Sequence, residues 1–258
     1  MINLAQVNLM DPGTITALLT LTVLEIILGV DNIIFISIVS NKLPVEQQRR
    51  ARNIGLLLAM LFRIGLLLTI SLLIQLTTPL FNVPFLKKEG APIGLGWKDL
   101  ILIAGGIFLV FKSTLEIHQK LEKVSPQTVS APAARAAFGA VILQIVLVDA
   151  VFSFDSILTA IGLVDEVWVM IVAVVISMTI MMLFSGAISR FINKHPTLQI
   201  LALAFLIMIG VMLVAEGFHQ HFNKSYIYIA IAFSLIVEMI NMRLRKNRET
   251  VELNNKNI

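Results

Sequence analysis

Two short stretches carry oxygen-bearing side chains in places where an apolar chain ordinarily has none. The segment 25–32 reads Glu-Ile-Ile-Leu-Gly-Val-Asp-Asn and the segment 149–156 reads Asp-Ala-Val-Phe-Ser-Phe-Asp-Ser. Each has an acid, five residues, an aspartate, then a small amide or hydroxyl, and both acids recur 124 positions apart. Carboxylate, amide and hydroxyl oxygens suit hard divalent cations such as Mn2+, Mg2+ or Ca2+, whereas zinc and copper sites usually recruit His or Cys. The chain has no cysteine, and His118, His195, His219 and His221 fall at the ends of apolar runs or between them. The oxygen-bearing residues of the two motifs are Glu25, Asp31, Asn32, Asp149, Asp155 and Ser156, and acids among them that no basic residue neutralises must be protonated, share a cation or line water. One buried acid alone would read as interhelical glue or as a partner for Arg63. Four at a repeated spacing point to function, because each carboxylate placed near mid-membrane costs several kcal/mol, roughly, unless something compensates it.

The elements that must position these residues are membrane helices. Of 258 residues 57% are hydrophobic and 14% charged, with a mean hydropathy of +0.90, far from the roughly 25% charged of a soluble domain. Runs of about 20 apolar residues match a hydrocarbon core of roughly 30 Å. We count seven, at about 14–40, 53–76, 99–117, 136–163, 167–189, 197–216 and 225–242. The third and seventh are interrupted by Lys112 and Glu238, close enough to an end to snorkel. Asp11 and Pro12 suit the start of the first helix. The N-terminal residues lack a basic segment and a small-residue cleavage pattern, so the first run reads as a span and not a signal peptide. On an ideal helix Glu25, Gly29 and Asn32 share a stripe with Asp31 about 120° away, and Asp149, Ser153, Ser156 and Asp155 repeat that arrangement. Gly29 and Ser153 mark points where a helix could kink, unwind or admit a close neighbour. A break there would free carbonyls as further oxygen ligands.

Basic residues set the orientation. Fifteen lie on one side of seven crossings, from Lys42, Arg49, Arg50 and Arg52 to the tail after Arg243, and four on the other, Lys87, Lys88, Lys98 and Lys224. This bias predicts an external N-terminus and a cytoplasmic C-terminus. It also accounts for the net charge of +4 without a nucleic-acid partner. Met60-Leu61-Phe62 recurs as Met182-Leu183-Phe184, so the second helix of each half repeats as well. Three spans cross an odd number of times, and the second copy must enter from the opposite face. The expected fold is an all-α membrane protein with seven transmembrane helices, a 3+3 inverted repeat plus one C-terminal helix. Its parts are 1–117 as the first three-helix repeat, 118–134 as a cytoplasmic linker, 135–223 as the second repeat, and 224–258 as the seventh helix and basic tail.

Other polar or soft residues have plainer readings. Gln144 reads as a packing hydrogen bond, and Glu216 and Glu238 as interfacial acids. Met178, Met181 and Met182 read as packing, and Trp168, Tyr226 and Tyr228 as an aromatic belt. The Glu116 to His118 stretch reads as a solvated helix end. Arg63, inside the second span, can neutralise one of the acids. In an empty site the remaining carboxylates repel one another and take up protons, which makes proton exchange the expected coupling.

The stretches LEIILGVDNIIFISIVSNKLP, ARNIGLLLAMLFRI, GGIFLVFKSTLEIH, ILQIVLVDAVFSFDSILTAIG and GVMLVAEGF resemble the TerC family of integral membrane proteins, over about residues 14 to 245. Members have been linked to tellurite resistance and to manganese export across bacterial and organellar membranes. The resemblance implies metal-handling roles for Glu25, Asp31, Asn32, Asp149, Asp155 and Ser156, with Mn2+ as substrate ion and the bacterial inner membrane as location. Many members carry a proline two residues after the second motif's serine, where this chain has Leu158, so the resemblance does not extend to a proline-induced break. The expectation is a secondary transporter that exports Mn2+ in exchange for protons, in contact with the lipid bilayer, and not an enzyme. Competing readings are export of another cation or a cationic organic solute, and a membrane factor that loads metal into secreted enzymes. A third, an intramembrane aspartyl protease, lacks the expected Gly-x-Gly-Asp signature, because Leu28 precedes Gly29-Val30-Asp31.

Overall fold

The computed structural model describes residues 12–69, 79–88, 91–121, 131–161, 164, 166–220 and 224–246. Seven helices occur among them: α1 (Pro12–Ser40), α2 (Val45–Leu68), α3 (Trp97–Leu121), α4 (Ala131–Ile161), α5 (Val167–Lys194), α6 (Pro196–Gly217) and α7 (Lys224–Lys246). All seven are long and apolar enough to cross a membrane. Prolines set several starts: Pro12 and Pro196 open α1 and α6, where a missing N–H costs nothing, and Pro44 precedes α2. Large apolar side chains such as Leu19, Phe111 and Leu183 are exposed on the helices. In a bilayer such faces contact lipid.

The second helix differs from its expected bounds. It begins at Val45, eight residues before the apolar run, so Arg49, Arg50 and Arg52 ride on its first turns. Glu, Gln and Arg are good helix formers, and nothing after Pro44 stops the helix from running through them. The end expected near residue 76 lies outside the described residues. A β-hairpin, unforeseen from the sequence, pairs β1 (Pro79–Lys88) with β2 (Ala91–Gly96) in antiparallel register, from Pro79↔Gly96 to Lys88↔Ala91.

Met1–His221 and Phe222–Ile258 form two compact units. Within the first, α3 packs on α6, α1 on α5, and α2 on both α4 and α5, with smaller contacts between α1 and α4. Exchanging α1, α2, α3 for α4, α5, α6 leaves those five pairings unchanged. The α3–α6 contact is a backbone approach: a Cβ at Gly106 would stand 2.5 Å from the Gly210 carbonyl oxygen, and one at Gly210 would stand 2.8 Å from that of Gly106. Small residues let membrane helices meet this closely. Within the α1–α5 contact, the Met181 sulfur occupies the space a Cβ at Gly29 would need. Phe35, Ile36, Ile38, Met178 and Leu203 are fully buried in the same unit. The second unit contains α7, a single helix of 23 residues.

Candidate functional site

Neither motif helix breaks. α1 and α4 run unbroken through Gly29 and Ser153, so the freed carbonyls considered above do not arise. Gly29 gives room to the Met181 side chain, and Ser153 hydrogen-bonds its own helix, donating to the Asp149 carbonyl oxygen one turn back at 2.6 Å. Both are compatible with continuous helix.

Glu25 lies in the interior of α1 and Asp149 in that of α4, and both are buried. Arg63, from α2, is buried between them and pairs with each. Its Nη2 donates to Asp149 Oδ1 at 3.0 Å, its Nε donates to Ser153 Oγ at 2.9 Å, and its Nη1 donates to Glu25 Oε2. Arg63 thus bridges two acids while carrying charge enough to neutralise one, as the sequence implied. Asn32 Nδ2 donates to Asp149 Oδ1 at 3.2 Å, carrying the first motif's amide to the second motif's acid. The Ser156 hydroxyl lies near Glu25 and hydrogen-bonds the Ser153 carbonyl oxygen at 3.3 Å. The first motif thus supplies an amide donor to the second motif's carboxylate, across the contact between α1 and α4.

Four of the six candidates, Glu25, Asn32, Asp149 and Ser156, come together around Arg63. The side chains of Asp31 and Asp155 lie outside the described residues, although their backbones belong to α1 and α4. Among the described residues no three His, Cys, Asp or Glu side chains converge as a metal-holding group. The described core has two carboxylates against one guanidinium, an excess of one negative charge when all are ionised. Asn32 Oδ1 is buried beside it with no donor among the described residues. A buried oxygen without a donor is costly, and a cation would satisfy it. Ser153, expected as a point where the helix could kink or admit a close neighbour, instead sits beside the Asp149 carboxylate. Its position one turn after Asp149 was the available signal, since a hydroxyl at that spacing reaches the carboxylate, here Oδ2 at 2.9 Å.

One plainer expectation fails. Glu116 is buried and is no solvated helix end: Lys42 Nζ, from beyond α1, approaches its Oε1 to 2.5 Å and Lys112 Nζ approaches to 3.5 Å. Local polarity made it look exposed, but the α1–α2 turn closes over it. Gln144 Nε2 is buried with no partner among the described residues.

The pattern of the integral membrane protein TerC family matches residues 10–252. The chain belongs to that family. Among its relatives, the TerC-family chain is 48% identical over 239 residues to the UPF0053 inner membrane protein YoaE of Escherichia coli (strain K12), covering 93% of this chain and 45% of that protein. It is 46% identical over 239 residues to the UPF0053 protein YegH of the same organism, covering 92% and 44%. A UPF0053 protein of Buchnera aphidicola subsp. Schizaphis graminum is 44% identical over 238 residues, covering 92% and 45%. The TerC-family chain therefore spans less than half the length of these relatives. No solved structure matches it.

Proposed function

We propose that the chain is a secondary transporter that exports a divalent cation, Mn2+ foremost, in exchange for protons. The carrying observation is the meeting of the two repeated acidic motifs, where Asn32 donates to Asp149 and one arginine faces two acids. Asp31 and Asp155 each stand six residues further along the same helices. In this reading they complete an all-oxygen donor set with Glu25, Asn32, Asp149 and Ser156, the chemistry hard cations favour. Arg63 holds Glu25 and Asp149 in place and leaves the two aspartates to meet the ion. Protons compete for the same oxygens, so metal release and protonation are alternatives at one place. The exchange symmetry of helix packing supports an inverted repeat, and the distribution of basic residues supports a cytoplasmic C-terminus in a bacterial inner membrane.

One observation favours a purely structural core instead: Arg63 already pairs with both described acids. Proteoliposomes loaded with a Mn2+-sensitive dye separate the readings. Asp31→Asn and Asp155→Asn should each abolish flux while the protein still inserts and folds, because an amide keeps size and removes charge. Undiminished flux in both variants would leave the acids structural.

A further inference from the structure

α2 carries two buried arginines with opposite surroundings. Arg63 has two carboxylates, whereas Arg52 is 7% exposed and pairs with none among the described residues. Its Nη1 donates to the Ser189 hydroxyl on α5 at 3.3 Å, and its Nε is buried with no acceptor among the described residues. Arg49 and Arg190 lie near enough for their charges to act on it. A guanidinium withdrawn from water beside two like charges is costly unless an anion compensates.

The same residues line a cavity of about 500 Å³ between α2 and α5. Arg49, Arg52, Asn53 and Arg190 offer donors around it, and among the described residues no carboxylate contributes to its wall. Leu183, also on the wall, is 76% exposed and extends the cavity toward the apolar helix surface. Arg52 and Arg63 are eleven residues apart, roughly 16 Å along a helix at 1.5 Å per residue, so this cavity is separate from the acidic core.

We propose that the α2–α5 cavity binds the phosphate of an anionic group, presented by a phospholipid headgroup or as a free phosphate. Guanidinium forks match phosphate oxygens in pairs, and three around one cavity balance a charge that a single neutral hydroxyl cannot. The volume is ample for a headgroup, and Leu183 offers an apolar flank for the glycerol and chain that follow.

The test uses the purified, delipidated full chain. Native mass spectrometry compares retention of dioleoyl-phosphatidylglycerol with that of dioleoyl-phosphatidylcholine. A parallel thermal-unfolding arm in detergent compares inorganic phosphate with chloride at matched ionic strength. Arg49 and Arg190 are exposed, so the double variant R49Q/R190Q keeps the bundle intact if R52Q alone fails to fold. Preferential retention of phosphatidylglycerol, reduced about tenfold or more in R49Q/R190Q as loss of charged hydrogen bonds implies, establishes the headgroup. Stabilisation by inorganic phosphate that disappears in the same variant establishes the free anion. Equal retention of both lipids, or phosphatidylglycerol binding that the variant leaves unchanged, overturns the proposal when phosphate also gives no more stabilisation than chloride.

Discussion

Replacing Arg63 by glutamine should destabilise the protein by about 3–5 kcal/mol, the usual cost of removing one partner from a buried ion pair. The structure places this case at the upper end. Arg63 is 2% exposed, Glu25 4% and Asp149 2%, so water cannot replace the lost charge. Three donations end together, to Glu25, Asp149 and Ser153. Asn32 still donates to Asp149, which limits the loss on that side and concentrates it on Glu25. The assay is reversible denaturation of the purified chain in mixed micelles, with R63Q beside the triple variant R63Q/E25Q/D149N. Removing all three charges leaves no uncompensated ion, so the triple variant should recover most of the loss, a non-additivity expected only of groups that touch. Wild-type stability in R63Q, or a triple variant no better than R63Q, would refute the bridging role.

Gly106→Ala places a Cβ 2.5 Å from the Gly210 carbonyl oxygen, so α3 and α6 must separate, and the same denaturation assay should register a loss of about 1–3 kcal/mol. Glu116→Gln should cost less than about 1 kcal/mol, because its partners Lys42 and Lys112 are partly exposed and remain hydrated; a loss as large as that of R63Q would contradict this. A topology reporter fused after Ile258 should read as cytoplasmic and one inserted near Lys88 as external, and the same side for both would remove the odd count of spans.

The helices were legible because seven apolar runs of bilayer length leave little else for the chain to be. Their ends were less so. Arg49 to Arg52 look like loop on hydropathy alone, yet they are sound helix formers and α2 simply starts earlier. The hairpin at Pro79–Lys88 and Ala91–Gly96 was hidden by its prolines, lysines and glycines, which read as turn. In the site, the repeated spacing singled out Glu25, Asn32, Asp149 and Ser156, and the structure brings those four together. Arg63 was visible as an anomaly, but its partners stand 38 and 86 positions away, and no local pattern encodes such a pairing. Glu116 fails for the same reason, since Lys42 is 74 positions distant.

The central claim is that the two acidic motifs form one site for a divalent cation. The most direct measurement is a Mn2+ titration of the full chain in lipid nanodiscs, followed by electron paramagnetic resonance of the free ion. Wild type should take up one Mn2+ per chain, with binding that weakens as the pH is lowered because protons compete for the same oxygens. The double variant D31N/D155N should fold and take up none. Equal uptake by the double variant, or no uptake by a folded wild type across the pH range, would contradict the account.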